Sequence, residues 1–88
     1  MTRKGVLLKD LEELVSRENI ISVVAVEISD NEWTFYMDYK NQEGEKETVF
    51  IEKQRNGIRT WSDPRLMFNF MREKFNITEG TFRIKPML

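Results

Sequence analysis

The sequence lacks cysteine and histidine, and these two absences exclude several kinds of chemistry at once. They leave no disulfide framework, no thiolate nucleophile, no zinc site of Cys and His ligands, and no imidazole base for a Ser-His-Asp triad. Carboxylates are the remaining acid/base groups, but adjacent helical carboxylates diverge, and those in a loop are not positioned for catalysis. The candidates are Glu12-Glu13, Asp30/Glu32 and Glu43/Glu45/Glu47. We therefore expect no enzymatic activity and no catalytic, cofactor-binding or metal-ligating residue.

Glycine and long apolar runs are also scarce. The four glycines are isolated, and none belongs to a glycine-rich loop that would cradle a phosphate at a helix start. The richest apolar stretch, residues 20–28, has seven apolar residues and is interrupted by Ser22 and Glu27. A membrane span needs about 20 predominantly apolar positions, and the N-terminal segment has no apolar signal core. We expect a cytoplasmic protein without a membrane partner.

The composition is that of one small domain. The chain has 88 residues, of which 40% are hydrophobic and 33% are charged, and we assign all of residues 1–88 to a single domain. The formal charge of −1 conceals an asymmetry, because residues 1–52 carry a balance of −6 and residues 53–88 a balance of +5. A basic half can recruit nucleic acid or an acidic partner, whereas interleaving of the two halves in one domain would give an ordinary solvated surface.

Apolar spacing predicts two helices. The first runs from about Gly5 to Glu18, because leucines recur at steps of three and four from Leu7. The second begins after Asp63, which can accept a hydrogen bond from an unpaired backbone amide, with Pro64 at the first helical position. It continues to Phe75 and ends at Asn76, with Met67 and Met71 expected in the core.

The remaining segments predict strands. Residues 20–29 and 32–40 form a hairpin around Asp30-Asn31, in a register that opposes Ile28 to Trp33 and Val24 to Met37. The third strand covers residues 46–54, Asn56-Gly57 forms a turn, residues 58–61 form a short fourth strand, and residues 81–85 form the last. The predicted fold is α+β, an antiparallel sheet of three to five strands with two helices packed on one face, in the order α-β-β-β-(β)-α-β. The predicted core residues are Leu7, Leu11, Leu14, Val24, Val26, Ile28, Trp33, Phe35, Met37, Leu66, Phe70 and Phe75.

The length of the loop after the second strand decides which aromatic side chains are exposed. A five-residue loop at residues 41–45 pairs Lys40 with Lys46 and places Tyr36 opposite Phe50, on the sheet face away from the helices. The short fourth strand then adds Trp61 and Arg59 to that face. This register predicts a partner-binding or self-association patch of Tyr36, Phe50, Arg59 and Trp61. A four-residue loop would instead oppose Met37 to Phe50 and move Phe50, and with it Trp61, into the core.

Arginines around Trp61 offer a second interpretation. Arg55, Arg59 and Arg65 surround the tryptophan in the sequence, and arginine beside an exposed aromatic ring can stack on bases or bind phosphates. The alternative is structural: a tryptophan just before a helix can pack under the helix start, as a hydrophobic staple does, while the arginines stay solvated.

One segment resembles a known family. The run Gly57-Ile58-Arg59-Thr60-Trp61-Ser62, the helical Phe70-Met71-Arg72, Ile77, and the strand Phe82-Arg83-Ile84 resemble small ParC-type partition-associated proteins of plasmids and integrated elements. The resemblance covers residues 57–85 and implies an accessory role in maintaining a mobile element, through protein or DNA contacts and without catalysis. We therefore expect a non-catalytic interaction module that binds a protein partner or a second copy of itself and needs no cofactor. A nucleic-acid-binding protein using the basic half is the alternative, and a small enzyme is the third hypothesis.

Overall fold

The described part of the chain folds as an α+β structure of five strands and two helices. The computed structural model describes residues 3–16, 18–55 and 57–86. The class and the presence of two helices are as the sequence predicts, but the chain begins with a strand and the order is β-α-β-β-β-α-β. The elements are β1 Arg3–Leu7, α1 Leu8–Leu14, β2 Ile20–Ser29, β3 Glu32–Lys40, β4 Lys46–Glu52, α2 Pro64–Phe75 and β5 Thr81–Arg83.

The sheet is mixed, so the prediction of an all-antiparallel sheet is wrong. Its strand order is β1-β4-β3-β2-β5, with β1 parallel to β4 and β5 parallel to β2. β3 is antiparallel to both of its neighbours. Four strands therefore run in one direction and β3 runs in the other. The two parallel pairings join residues that are distant in the sequence, which local hydrophobic patterning does not reveal.

The parallel strands explain why both helices lie on one face. The chain crosses from β1 to β2 through α1 and from β4 to β5 through α2, and each connection passes over two strands in the same direction along the sheet. Crossovers between parallel strands are nearly always right-handed, so two crossovers in the same direction place their helices on the same side. Buried residues of both helices join one core cluster with the strands. Among the described residues, no helix is long and apolar enough to cross a membrane.

The core lies between this sheet face and the helices. Leu11 of α1 and Met67 of α2 are fully buried, and Phe75 at the end of α2 is buried as well. Met67 and Met71 are in the core as predicted, whereas Leu14 and Leu66 are exposed. The helix predicted from residue 5 is shorter, because Val6 pairs with Ile51 in the sheet and the helical stripe begins only at Leu8. The core residues are Val6, Leu11, Val15, Val23, Ala25, Phe35, Met37, Tyr39, Val49, Ile51, Met67, Met71 and Phe75.

The first hairpin has its predicted turn but not its predicted register. Asp30 and Asn31 form the turn, and Asn31 adopts a φ of 59°. An irregularity between Glu27 and Ser29 leaves Ile28 as an extra residue, so Glu27 opposes Trp33. A bulge of this kind shifts every following pair by one position and exchanges the two faces of the strand. Val23 and Ala25 therefore face the core, whereas the predicted core residues Val24, Val26 and Ile28 do not.

The β3–β4 connection follows the five-residue prediction. Lys40 pairs with Lys46 and Met37 with Val49, so the four-residue alternative is wrong. Asn41 organises the loop, because its Oδ1 accepts hydrogen bonds from the backbone amides of Glu43 and Glu45, at 3.0 and 2.9 Å. The backbone amide of Asn41 donates a hydrogen bond of 2.8 Å to the Glu45 carbonyl, which closes the loop. The register of the two strands follows from this fixed loop length.

Residues 58–61 fill the gap where β3 and β4 diverge. The Arg59 amide donates to the Ile51 carbonyl, and Trp61 and Trp33 exchange two backbone hydrogen bonds of 2.8 Å. This segment makes isolated bridges to both strands instead of the predicted fourth strand beside β4. The preceding turn was predicted at Asn56-Gly57; Asn56 lies outside the described residues, and Gly57 has a positive φ of 96°.

Both ends of α2 follow the sequence prediction. The Asp63 carboxylate accepts a hydrogen bond from the Arg65 amide at 2.9 Å, and Pro64 occupies the first turn. Asn76 ends the helix in the left-handed conformation with a φ of 56°. The chain then reaches β5 through Gly80, where an added Cβ would lie 2.7 Å from the Val23 carbonyl oxygen. Glycine thus allows the close approach that pairs β5 with β2.

Candidate interaction surface

The sheet face opposite the helices is the candidate functional surface, and we call it the outer face. No described helix lies on this face, because both crossovers pass over the other side. Side chains alternate along each strand, so the registers identify which positions point outward. The outer face comprises Arg3 of β1, Ser22 and Val24 of β2, Tyr36 and Asp38 of β3, Thr48 and Phe50 of β4, and Arg83 of β5.

An aromatic pair occupies the centre of the outer face. Tyr36 and Phe50 lie on neighbouring strands with ring centroids 5.9 Å apart and nearly perpendicular planes. The guanidinium of Arg3 lies over the Tyr36 ring at 4.1 Å. Both rings are half-buried, and because Arg3 covers one face of Tyr36, the remaining apolar surface is the rest of that ring together with Phe50. The two rings are therefore in contact, as the predicted register expects, although the paired part of β3 and β4 ends one position earlier, at Met37 and Val49.

A polar network lies beside the aromatic pair. The Asp38 carboxylate accepts hydrogen bonds from Ser22 Oγ at 3.0 Å and from Thr48 Oγ1 at 2.5 Å. Lys46 Nζ lies 4.0 Å from the same carboxylate. These contacts satisfy the acidic group within the protein and fix its orientation. Asp38 is therefore engaged by Ser22, Thr48 and Lys46.

Two arginines border the same region of the outer face. Arg3 and Arg83 both line a depression of about 270 Å³ next to Tyr36, and both line a second, more open one of about 730 Å³. Neither arginine forms an ion pair with any acidic group among the described residues. A guanidinium offers five hydrogen-bond donors in a planar arrangement that matches a carboxylate or phosphate. The surface thus presents two guanidinium groups without an ion pair in the described part of the chain, Arg83 beside the aromatic pair and Arg3 stacked on the Tyr36 ring.

The structure divides the four predicted patch residues between two faces. Tyr36 and Phe50 are on the outer face, but Trp61 packs on the helix side, 5.8 Å from the Phe35 ring and 5.1 Å from the Phe70 ring. The predicted placement of Trp61 on the outer face is wrong, since Ile58 is the residue that opposes Glu52 and Trp61 pairs with Trp33.

The Arg59 guanidinium accompanies Trp61, lying over its ring at 4.8 Å and over the Phe70 ring at 4.7 Å. Trp61 therefore packs against α2, as the structural alternative expects, but its contact there is Phe70 in the middle of the helix, and Arg59 stacks on the rings instead of staying solvated. The partner-binding prediction is left with Tyr36 and Phe50 on a common surface.

The three arginines of the nucleic-acid alternative do not form a common site. Arg65 is committed to Asp63, with Nη2 3.1 Å from Oδ2, and this pair lowers the pKa of Asp63 through its hydrogen bonds. Arg59 stacks on Trp61 and Phe70, so the tryptophan face that would receive a base is already covered. Arg55 is exposed in the loop after β4. No described geometry here matches an aromatic platform with flanking phosphate contacts.

The acidic residues of the β3–β4 end have structural roles. Glu47 accepts a hydrogen bond from Asn41 at 2.7 Å and lies 3.7 Å from Lys4 Nζ. The Asn41 hydrogen bond is the main cause that holds the pKa of Glu47 below its ordinary value, and Lys4 lowers it further. Burial raises the pKa of the neighbouring Tyr39 phenol, and Glu47 adds to that effect. Within residues 3–16, 18–55 and 57–86, no three acidic side chains are grouped as metal ligands.

Arg3 and Arg83 are the surface residues that the sequence analysis missed as binding candidates. They lie 80 positions apart in the chain, on the two opposite edge strands, and the registers of β1 with β4 and of β5 with β2 place both on the outer face. Each follows the alternation of its own short strand, but recognising that strand requires the parallel pairings.

Comparisons with protein-family models, curated proteins and solved structures found no match to this chain.

Proposed function

We propose that the protein is a non-catalytic interaction module that binds a protein partner on its outer face. The observation that carries this proposal is the aromatic pair of Tyr36 and Phe50 at the centre of a sheet face that no described helix covers. Aromatic residues with flanking arginine are typical of the central contacts in protein interfaces. Half-buried rings on a rigid sheet also lose little conformational freedom when a partner covers them.

The chemistry of the outer face favours an acidic partner. Arg3 and Arg83 stand at its border without ion pairs among the described residues, while Asp38 is already satisfied by Ser22, Thr48 and Lys46. A peptide segment with a carboxylate next to an apolar side chain would bind the guanidinium groups and cover the rings. The net charge of the chain is −1, so this local positive character does not come from an overall excess of basic residues.

The proposed biological setting is accessory maintenance of a plasmid or other mobile element. It rests on the resemblance of residues 57–85 to ParC-type partition-associated proteins, and it is compatible with a binding role. A plasmid-retention count with and without the gene tests it separately. Binding to nucleic acid through Arg55, Arg59 and Arg65 is the less favoured alternative, because Arg59 and Arg65 are engaged within the protein.

A titration followed by amide chemical shifts tests the acidic-partner proposal. The probe is a short Glu-rich peptide with one central leucine, and we expect it to shift the outer-face amides of β2, β3 and β4. Replacing both border arginines, Arg3→Gln with Arg83→Gln, should weaken binding by about tenfold or more, since charge-assisted hydrogen bonds are lost. A titration with duplex DNA, in parallel, measures the nucleic-acid alternative.

The matched control removes the same charge elsewhere. Arg55→Gln with Arg65→Gln should leave the affinity for the acidic peptide nearly unchanged. Equal loss in both double variants would contradict the proposal, because binding would then follow total charge and not the outer face. If the protein binds duplex DNA more tightly than the acidic peptide, and the double variant Arg55→Gln with Arg65→Gln loses that binding, the nucleic-acid alternative is favoured instead.

A further inference from the structure

Strand β5 forms one edge of the sheet and carries unusually exposed apolar side chains. Phe82 is 65% exposed and Ile84, just after the strand, is 62% exposed. Phe82 pairs in register with the buried Ala25, which places it on the helix side of the sheet. Phe68 of α2 is 47% exposed and lines the same groove of about 210 Å³ as Phe82. An exposed apolar group of this kind indicates a surface that another chain covers.

The opposite edge of the sheet has a different character. β1 carries Arg3 and Lys4, and charged residues on an edge strand discourage pairing with another strand. β5 presents the backbone of residues 81–83 at its outer edge, with Phe82 and not a charged residue on the helix side. Both edge strands carry an arginine on the outer face, but on the helix side β1 has Lys4 where β5 has Phe82, so β5 is the edge better suited to strand addition.

We propose that β5 pairs antiparallel with β5 of a second copy, with the twofold axis passing through Phe82. This arrangement joins the two five-stranded sheets across their β5 edges. It brings the two Phe82 rings together as a cross-strand pair on the helix side, next to Phe68 of each copy. Directly opposed aromatic residues stabilise antiparallel strand pairs. The contact is isologous, so it closes after two copies and does not propagate.

The sequence around Phe82 is self-complementary in this register. Thr81 lies opposite Arg83 of the second copy, which avoids placing two arginines against each other. When the same register is extended by two residues beyond each end of β5, Glu79 of each copy lies opposite Lys85 of the other. Both Glu79–Lys85 pairs join opposite charges, while Phe82 lies at the apolar centre on the helix side. Charge complementarity at both ends therefore favours a second copy of this chain as the occupant.

The interface is small, so the dimer should be weak. A short strand pair with one aromatic cluster covers less than the roughly 800 Å² per partner of a standard stable interface. We expect a dissociation constant on the order of micromolar or weaker, measured by sedimentation velocity over a concentration series that extends to the millimolar range. A wild-type protein that remains monomeric over the whole series would overturn the proposal.

Charge reversal at the two ends tests the register. Glu79→Lys alone opposes two lysines at each end of the strand pair, and Lys85→Glu alone opposes two glutamates. Each variant should associate about tenfold more weakly than the wild type, since two attractive pairs become repulsive. An equimolar mixture of the two variants restores opposite charges at both ends and should associate as the wild type does. A mixture no stronger than either variant alone would overturn the register.

The mixture also separates association from changes within one copy. Lys85 Nζ lies 3.1 Å from Asp30 Oδ1 in the isolated chain, so Lys85→Glu alters a contact inside the monomer as well. Recovery in the mixture cannot come from that contact, because each chain keeps its own substitution. Melting curves of the single variants establish that both are folded.

A second pair of variants tests the apolar centre. Phe82→Ser removes the central ring and should abolish association across the concentration series. The matched control, Leu66→Ser, removes a side chain that is 60% exposed on α2 and does not line the groove, so it should leave association unchanged. Equal effects of the two substitutions would overturn the proposal, because association would then follow general surface hydrophobicity.

Discussion

Replacing Trp61 by alanine should destabilise the protein strongly, although a tryptophan in a connecting segment looks dispensable. The ring contacts Phe35 and Phe70 at 5.8 and 5.1 Å and lies under the Arg59 guanidinium at 4.8 Å. Complete truncation of a buried tryptophan costs about 3–5 kcal/mol. Trp61 is half-buried, and each aromatic contact contributes about 0.5–1.5 kcal/mol beyond its buried area. We therefore expect Trp61→Ala to lower the free energy of unfolding by about 3 kcal/mol.

Urea unfolding followed by far-ultraviolet circular dichroism measures this loss without depending on tryptophan fluorescence. The urea concentration at the unfolding midpoint should fall, while the slope of the unfolding free energy against urea concentration stays constant, as expected for a change in stability alone. Leu66→Ala, at a position that is 60% exposed, is the matched control and should cost less than about 0.5 kcal/mol. A loss below about 1 kcal/mol for Trp61→Ala would refute the packing of Trp61 under α2 and would favour its exposure on the surface.

Three further substitutions test local features of the fold. Asp63→Ala should lower the melting temperature at neutral pH. The hydrogen bonds from Arg65 depress the pKa of Asp63 in the folded state. The difference in stability between wild type and variant is therefore complete above the ordinary Asp pKa and disappears as the pH falls through the depressed pKa. Gly80→Ala forces a Cβ to within 2.7 Å of the Val23 carbonyl oxygen, so hydrogen exchange of the β5 amides should accelerate while β3 stays protected. Asn76→Val should cost about 1–2 kcal/mol in urea unfolding, because its φ is 56°, whereas Asn76→Gly should be tolerated.

Local chemistry made part of this fold predictable. The Asp30-Asn31 turn, the five-residue loop at 41–45 and the Asp63-Pro64 helix start each depend on a few adjacent residues, and each is present in the structure. The same holds for the contact of Tyr36 and Phe50, since a loop of known length fixes the register of the strands that it joins. The central element of the candidate surface follows from these local features.

Other features depend on contacts between distant residues. The bulge at Ile28 exchanges the two faces of β2. Because β2 has apolar residues at both odd and even positions, its sequence does not show which of the two sets faces the core. β1 was assigned to a helix because Leu7, Leu8 and Leu11 share a helical stripe, whereas pairing with β4 determines its conformation. The prediction for Trp61 is wrong because it continues β4 through the Asn56-Gly57 turn into an adjacent antiparallel strand. In the structure, residues 58–61 instead form bridges to both β3 and β4.

The most direct test of the proposed function is site-specific photo-crosslinking in the native host. A crosslinking phenylalanine analogue in place of Tyr36 lies at the centre of the outer face, and the same analogue in place of Leu66 lies on the exposed side of α2. The proposal predicts a discrete adduct with a protein of acidic character from position 36, lost when Arg3 and Arg83 are replaced by glutamine, and no such adduct from position 66. Nuclease-sensitive adducts, or the same adducts from both positions, would contradict it.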